Sequence, residues 1–350
     1  MAALMKHWRE ASTLILISSC HPSKIVSPVF VNGSNSQRRS LLKGTDYEML
    51  LLKRSPKSKF MPNMYVFPGG VAADVDFSSE WIGVFDFLGR DQRQNIFDFL
   101  QRGGEGTPMF SRIREPKFSN IPSEVAFRIC AIRETFEESG VLLVRDASKN
   151  RDNWWPNLWD KPSEAGFIKD QSVINEWRSK VDKDPEEFLR MCQKLKLVPD
   201  VWSLYEWSNW LTPTFEGRRF DTAFFICCVQ GKPHAVEDEG ETVHSQWTSP
   251  SFLLSQYKDG KANIAPPQLY ESFRLIRFNI SDLLKFSWHR SQYRVGRWLP
   301  VLISCADGSM MLMPGDSLYP ADVKPRVRWR NVYTRRQYLN CFRHVKIYTV

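Results

Sequence analysis

The chain has 350 residues, 42% of them apolar and with 13 Trp and 23 Phe, which is enough for one large or two modest domains around a proper core and excludes a disordered chain. The formal charge of +9 is local: eight basic residues and no acid follow Asp322, and removing those eight from the 48 leaves 40 against 39 acidic residues. Seven cysteines, with Cys227 and Cys228 adjacent and no C-x-x-C, suggest neither a disulfide framework nor a zinc site and fit a reducing compartment, and no apolar run reaches the roughly 20 residues of a membrane span.

Lys6 and Arg9 flank a short apolar run, Ser12-Thr13-Leu14-Ile15-Leu16-Ile17-Ser18, too short for the core of a secretory signal. Ala11 to Ser19 reads instead as a strand, followed by a polar Ser/Asn-rich loop through Lys43. Tyr47 to Arg54 is a second, buried strand. Arg54 and Lys59 stand just past its end, where they can contact phosphates or serve as solvated loop residues. Phe67-Pro68-Gly69-Gly70 is a turn that brings bare backbone close to something. Residues 71–122 follow, with a helix expected from Asp91 to Gln101 and a Gly/Pro-rich exit at Gly103 to Pro108. Such a segment can shape a pocket, act as a lid or be tolerated decoration.

The next stretch carries the most chemistry. Pro122-Ser123 starts a helix, with Ser123 able to cap its first turn, and Gly140 stops it. At about 100° per residue, Val125, Ile129, Ile132 and Phe136 share one stripe. Glu134, Glu137 and Glu138 gather on the opposite side, and Arg133, four residues before Glu137, can hold that carboxylate. Three carboxylates within one turn repel one another, so they read either as an ordinary charged face or as ligands of a hard divalent cation. The last turn also favours a cation through the helix dipole.

Val141 to Val144 reads as a strand, then a polar, Trp-rich stretch runs to Asp170. Helices are expected at Gln171 to Val181 and Pro185 to Leu195, and Trp202, Trp207 and Trp210 read as core or interface aromatics. Arg218 and Arg219 precede a long apolar run through Val229, a buried central strand with two cations at its end. In the acidic run Glu237 to Glu241, Glu241 is the candidate for a fourth ligand or a general base, against a solvated turn. His244 nearby reads as structural. Helices capped near Ser249-Pro250-Ser251, from Leu269 to Phe278 and from Ser281 to Arg290 precede a hairpin of Val301 to Cys305 and Met310 to Met313. In the tail, Arg326-Val327-Arg328-Trp329-Arg330 alternates like an edge strand.

Gly69-Gly70 followed by R-E-x-x-E-E-x-G at Arg133 to Gly140 resembles the Nudix box, nominally G-x5-E-x7-R-E-U-x-E-E-x-G-U with U bulky and apolar. The match departs at Thr135, which occupies a U position, and at Val125, which stands eight before Arg133 with Glu124 one place off register, so the early glutamate is left unassigned. Gly70 and Arg133 are 63 residues apart where the box spacing gives 14, leaving about 49 inserted residues. Leu50, Leu51, Arg54, Ser55 and Phe67 to Gly70 further match the L-L-T-x-R-S-x3-R-x3-G-x3-F-P-G-G run of the coenzyme A diphosphatase branch, while Leu52, Lys59 and Asn63 depart from it.

This resemblance implies an α/β fold, the Nudix α/β/α sandwich, with a large insertion inside the box and added C-terminal helices and hairpin. The expected organisation is a Nudix domain over 8–256 with the insertion at 71–122, an extension over 257–322 packed on it, and a basic tail over 323–350. It implies hydrolysis of CoA and acyl-CoA esters to 3′,5′-ADP and the 4′-phosphopantetheine part with Mg²⁺ or Mn²⁺, and CoA-capped RNA as a possible further substrate. Glu134, Glu138 and Glu137 carry over as metal ligands. Arg54, Lys59, Gly69, Gly70, Arg218 and Arg219 are the substrate-side candidates, and a monomer is expected. Peroxisomal residence is implied by the family alone, since Tyr348-Thr349-Val350 is not a Ser-Lys-Leu-type signal. Two other readings stay open: a non-catalytic nucleotide sensor, and an RNA-decapping enzyme gripping phosphates with the basic tail.

Overall fold

The computed structural model describes residues 8–19, 45–102, 107–148, 158–238, 240–293, 295–305 and 308–320. The loop expected before Lys43, the start of the Gly/Pro-rich exit and the tail alternation lie outside them. In chain order the elements are β1 (Arg9–Ser19), β2 (Tyr47–Arg54), β3 (Tyr65–Val66), β4 (Gly69–Val71), α1 (Trp81–Phe85), α2 (Arg90–Gln101), α3 (Ser123–Ser139) and β5 (Val144–Asp146). There follow α4 (Gln171–Lys183), α5 (Glu186–Leu195), β6 (Leu197–Pro199), β7 (Tyr205–Leu211), β8 (Phe220–Val229), β9 (Thr242–Thr248) and α6 (Pro250–Lys258). The last are α7 (Pro266–Leu275), α8 (Ile280–Arg290), β10 (Arg297–Trp298), β11 (Val301–Cys305) and β12 (Gly308–Leu312).

Unbroken burial from Ala11 to Ser18 marks β1 as covered on both faces, and it lies in the middle of a mixed sheet. The strand order is β10-β7-β8-β1-β2-β3, with β4 also on β1 and β9 also on β2. β1 runs parallel to β8 over its whole length, Arg9 opposite Phe220 through Ser18 opposite Val229. On its other side it pairs first with β4, Thr13 opposite Gly69, and only at its far end with β2, Ile17 opposite Met49. The sheet therefore splays beside the middle of β1, and the Gly69-Gly70 bend sits at the opening.

α3 lies across β1 and β4, tied by the Ser12 hydroxyl donating to the Phe127 carbonyl at 2.8 Å. Its bounds agree with the expected start and stop, and Gly140 ends it in the left-handed region at φ 71°. Ser123 does not cap it. Pro122 holds the N-cap position without a side-chain bond, and the Ser123 hydroxyl accepts from Arg114 Nε at 2.8 Å.

The insertion is more than surface decoration, because its described residues build a wall of the core. Trp81 packs on Phe188 at 5.8 Å between ring centroids, Phe77 on Phe127 at 5.3 Å, and Phe110 on Phe127 at 5.4 Å. Each such burial contributes about 1.5–3 kcal/mol. This wall covers the side of α3 that the periodicity left to solvent, so the helix is buried nearly all round, Glu138 included.

Other expected elements shift for local reasons. Val141 to Leu143 do not join the strand at β5, because the Leu142 and Leu143 carbonyls accept from loop residues Ile168 (3.1 Å) and Asp200 (3.2 Å). The helix expected to open at Ala265-Pro266-Pro267-Gln268 begins at Pro266, since proline suits the first helical turn, and ends at Leu275, short of the expected Phe278. β12 begins at Gly308, ahead of the expected Met310. The stretch with Trp207 and Trp210 is strand β7, and both indoles donate to the fully buried Glu271 of α7, at 2.7 and 3.0 Å. Arg274 closes that cluster at 2.7 Å. β10 then adds an edge strand beside β7, so the chain beyond 256 shares the central sheet.

Candidate active site

The Gly69-Gly70 bend and the last turn of α3 meet face to face. Gly69, at φ 151°, crosses β1 so closely that a Cβ there would lie 2.3 Å from the Ser12 carbonyl oxygen. A Cβ on Gly70 would lie 2.2 Å from Glu134 Oε2. At Gly69 only glycine permits the approach, and at Gly70 any side chain would push Glu134 aside. The Gly69 N–H donates to Glu138 Oε2 at 2.8 Å, which pins one carboxylate to the bend.

Arg133 organises the other two. Fully buried, it donates through Nη1 to Glu137 Oε1 at 2.8 Å and to Glu134 Oε1 at 3.0 Å. Its remaining edge meets Asp76 bidentately, Nε to Oδ1 at 2.9 Å and Nη2 to Oδ2 at 2.8 Å. Asp76 is wholly buried and also accepts from the Ala73 N–H at 2.8 Å. The sequence reading missed it, although a signal was present. Asp76 stands six residues after Gly70, where the box calls for its early glutamate, and the extra chain intervenes after it.

Burial raises the pKa of each glutamate. For Glu134 burial is the main cause, Glu137 and Asp76 add to it and Arg133 opposes, leaving it near 8. Glu138 is pushed well up by burial and then by Glu134, against the Gly69 N–H and Arg54. Glu137 is raised by burial and held back by Arg133. Glu134 Oε2, Glu137 Oε2 and Glu138 Oε1 accept no hydrogen bond among the described residues.

An all-oxygen donor set with more buried negative charge than one shared guanidinium can neutralise fits a hard divalent cation. Among the described residues, no three side chains of metal-ligating type converge on one point. Glu134 and Glu137 turn toward Arg133 while Glu138 turns toward Gly69.

The remaining candidates divide by distance. Arg54, at the end of β2, is pre-ordered by Ser58 Oγ (3.0 Å from Nε) and the Phe60 carbonyl (3.0 Å), and Glu241 Oε2 lies 3.8 Å from its Nη2. Arg54 and Glu241 both act on Glu138 electrostatically, which places them beside the turn, although the Glu241 side chain is 71% exposed. Lys59 is exposed next to Phe60, whose ring meets Phe220 edge-on at 5.2 Å. Just before β8, Arg218 is exposed and Arg219 is half-buried, its guanidinium over the Trp8 ring at 4.9 Å. Four strand positions separate Phe220 from Phe224, the residue level with Thr13 and the bend, so Phe220 lies roughly 13 Å away at about 3.3 Å per residue and the two arginines stand beyond it. His244 is exposed and packs edge-on against Tyr65.

A mixed sheet that opens beside a glycine bend, opposed by R-E-x-x-E-E on a buried helix, defines the class of Nudix hydrolases, enzymes that use divalent metals. Residues 8–275 match the family model described as the NUDT19 Nudix domain, and the chain belongs to that family. It is 41% identical over 325 residues to the acyl-coenzyme A diphosphatase NUDT19 of Gallus gallus, covering 91% of this chain and 81% of that one. Identity to the Xenopus laevis protein of the same name is 43% over 325 residues, with 91% and 82% covered. The Homo sapiens protein of that name is 37% identical over 329 residues, with 90% and 81% covered. No helix among the described residues is long and apolar enough to cross a membrane.

Proposed function

We propose that this protein hydrolyses the pyrophosphate linkage of CoA and acyl-CoA esters to 3′,5′-ADP and (acyl-)4′-phosphopantetheine, with Mg²⁺ or Mn²⁺ held by Glu134, Glu137 and Glu138. The observation that carries this reading is the glycine bend set against three carboxylates, Glu138 buried and Glu134 and Glu137 half-buried. The relatives named acyl-coenzyme A diphosphatase, similar over about nine-tenths of the chain, support the substrate.

The residues divide the work. Gly69 and Gly70 let the bend lie directly against β1 and the Glu134 carboxylate, so that a pyrophosphate at the opening would be brought to the glutamates. The three glutamates hold the cation, which when bound supplies positive charge against the pyrophosphate oxygens and favours attack by water. Arg54, with its fork ordered by Ser58 and Phe60, is aimed to hold a phosphate oxygen. Arg218, Arg219 and Lys59 stand far enough out to meet a second phosphate of an extended substrate. Water oxygen bonds to one phosphorus, the P–O–P bridge breaks, and the leaving phosphate takes the bonding pair. A carboxylate of the cluster accepts the water proton.

The test is incubation with an acyl-CoA and Mg²⁺ in ¹⁸O water, with mass spectrometry of the products and CoA and CoA-capped RNA in parallel. 3′,5′-ADP and acyl-phosphopantetheine are expected, one of them carrying a single ¹⁸O. Tight CoA binding without product would instead identify a nucleotide sensor.

A further inference from the structure

We infer that Arg178, on α4 outside the acidic motif, is a positioning residue for the turn that carries Glu137 and Glu138. The inference rests on the reading of those carboxylates as cation ligands and adds what holds them still.

The last carbonyls of a helix have no partner within it and ordinarily turn to water. Here each of the final three is taken by another element. Arg178 Nε donates to the Glu137 carbonyl at 2.9 Å, the Thr242 hydroxyl reaches the Glu138 carbonyl at 3.5 Å, and the Val236 N–H donates to the Ser139 carbonyl at 3.0 Å. Glu137 is thus gripped at both ends, its carboxylate by Arg133 at 2.8 Å and its carbonyl by Arg178. The Arg178 bond is the only charged one of the three, and it lies at the negative end of the helix, where a cation is favoured.

Two further observations separate this arginine from an ordinary cap. Its Nη2 is buried and has no hydrogen-bond partner among the described residues, so the side chain is held at this position at a cost. Its Nη1 also lies where a Cβ on Gly140 would come within 3.4 Å, so the left-handed glycine that ends the helix and the arginine that clamps it fit one space. Pulling the turn by even about 1 Å can cost on the order of 100-fold in rate when it carries reacting groups.

The experiment compares wild type, Arg178→Met, which keeps the apolar stem but no donor, and Arg178→Lys, which keeps the charge and one donor. Mn²⁺ binding is measured without substrate by the electron paramagnetic resonance of the free ion, and kcat is measured with an acyl-CoA at saturating Mn²⁺. In R178M we expect Mn²⁺ affinity to weaken on the order of tenfold and kcat to fall about 10- to 100-fold, and R178K to recover most of both. If R178M does not fold, Arg178→Gln takes its place with the same two readouts. A variant that binds Mn²⁺ like wild type with kcat within about twofold, whatever its melting temperature, overturns the inference. If wild type itself binds no Mn²⁺, the ligand reading fails and this inference falls with it.

Discussion

Replacing Asp76 with alanine tests how the site is built more directly than replacing a glutamate. Asp76 is fully buried and holds Arg133 through bonds of 2.9 and 2.8 Å. Removing one partner of a buried ion pair costs about 3–5 kcal/mol. Arg133 would keep Glu137 at 2.8 Å and Glu134 at 3.0 Å, so its charge is not orphaned and the lower end, about 3 kcal/mol, is expected. With a urea slope of roughly 2–3 kcal/mol per molar, the unfolding midpoint should fall by about 1–1.5 M. The freed guanidinium would then serve Glu134 and Glu137 alone and compete with the cation, so the metal concentration for half-maximal activity should rise as well. Urea titration followed by tryptophan fluorescence, together with a Mn²⁺ activity titration, reads both effects. A midpoint that does not move would show that the Asp76–Arg133 pair does not organise the site.

Glu138→Gln should lose several orders of magnitude in kcat while its melting temperature holds or rises, because the amide oxygen can still accept from the Gly69 N–H and a buried charge is gone. Retained activity would mean the ligand set is misplaced. Gly70→Ala should displace Glu134, whose Oε2 would lie 2.2 Å from the new carbon, and lower activity by a factor on the order of 100, measured as kcat at saturating metal. The metal-free protein should lose stability as pH rises from about 4.5 toward 8. In that window the folded state keeps the Glu134 proton while the unfolded chain has released it, so raising the pH favours unfolding. Melting curves across the window with chelator should show that slope, and saturating Mg²⁺ should flatten it.

How much was legible follows from which signals are local. Helix α3 could be bounded to the residue, because a proline start and a glycine stop are written into the chain, and the pairing of Arg133 with Glu137 follows from helical spacing alone. The strand Tyr47 to Arg54 was equally readable from its apolar run. Periodicity misjudged the exposure of α3, since the chain that covers its acidic side begins some 50 residues upstream and its aromatic side chains carry no address. The same distance hid Asp76, although its spacing from Gly70 was there to be counted. Arg178 offered no such cue, being one cation on an ordinary amphipathic helix until α4 packs against the end of α3.

By itself, then, the order of residues determined the short-range chemistry: a glycine pair able to bend, a turn with three glutamates and one arginine, and the family they point to. Only the tertiary structure decided that the bend and the turn face each other, that one arginine is shared by three carboxylates, and that Arg178, Thr242 and Val236 close the helix from outside. The physical reason is that burial and long-range hydrogen bonds depend on which elements meet, while spacing along the chain specifies only what each element can offer.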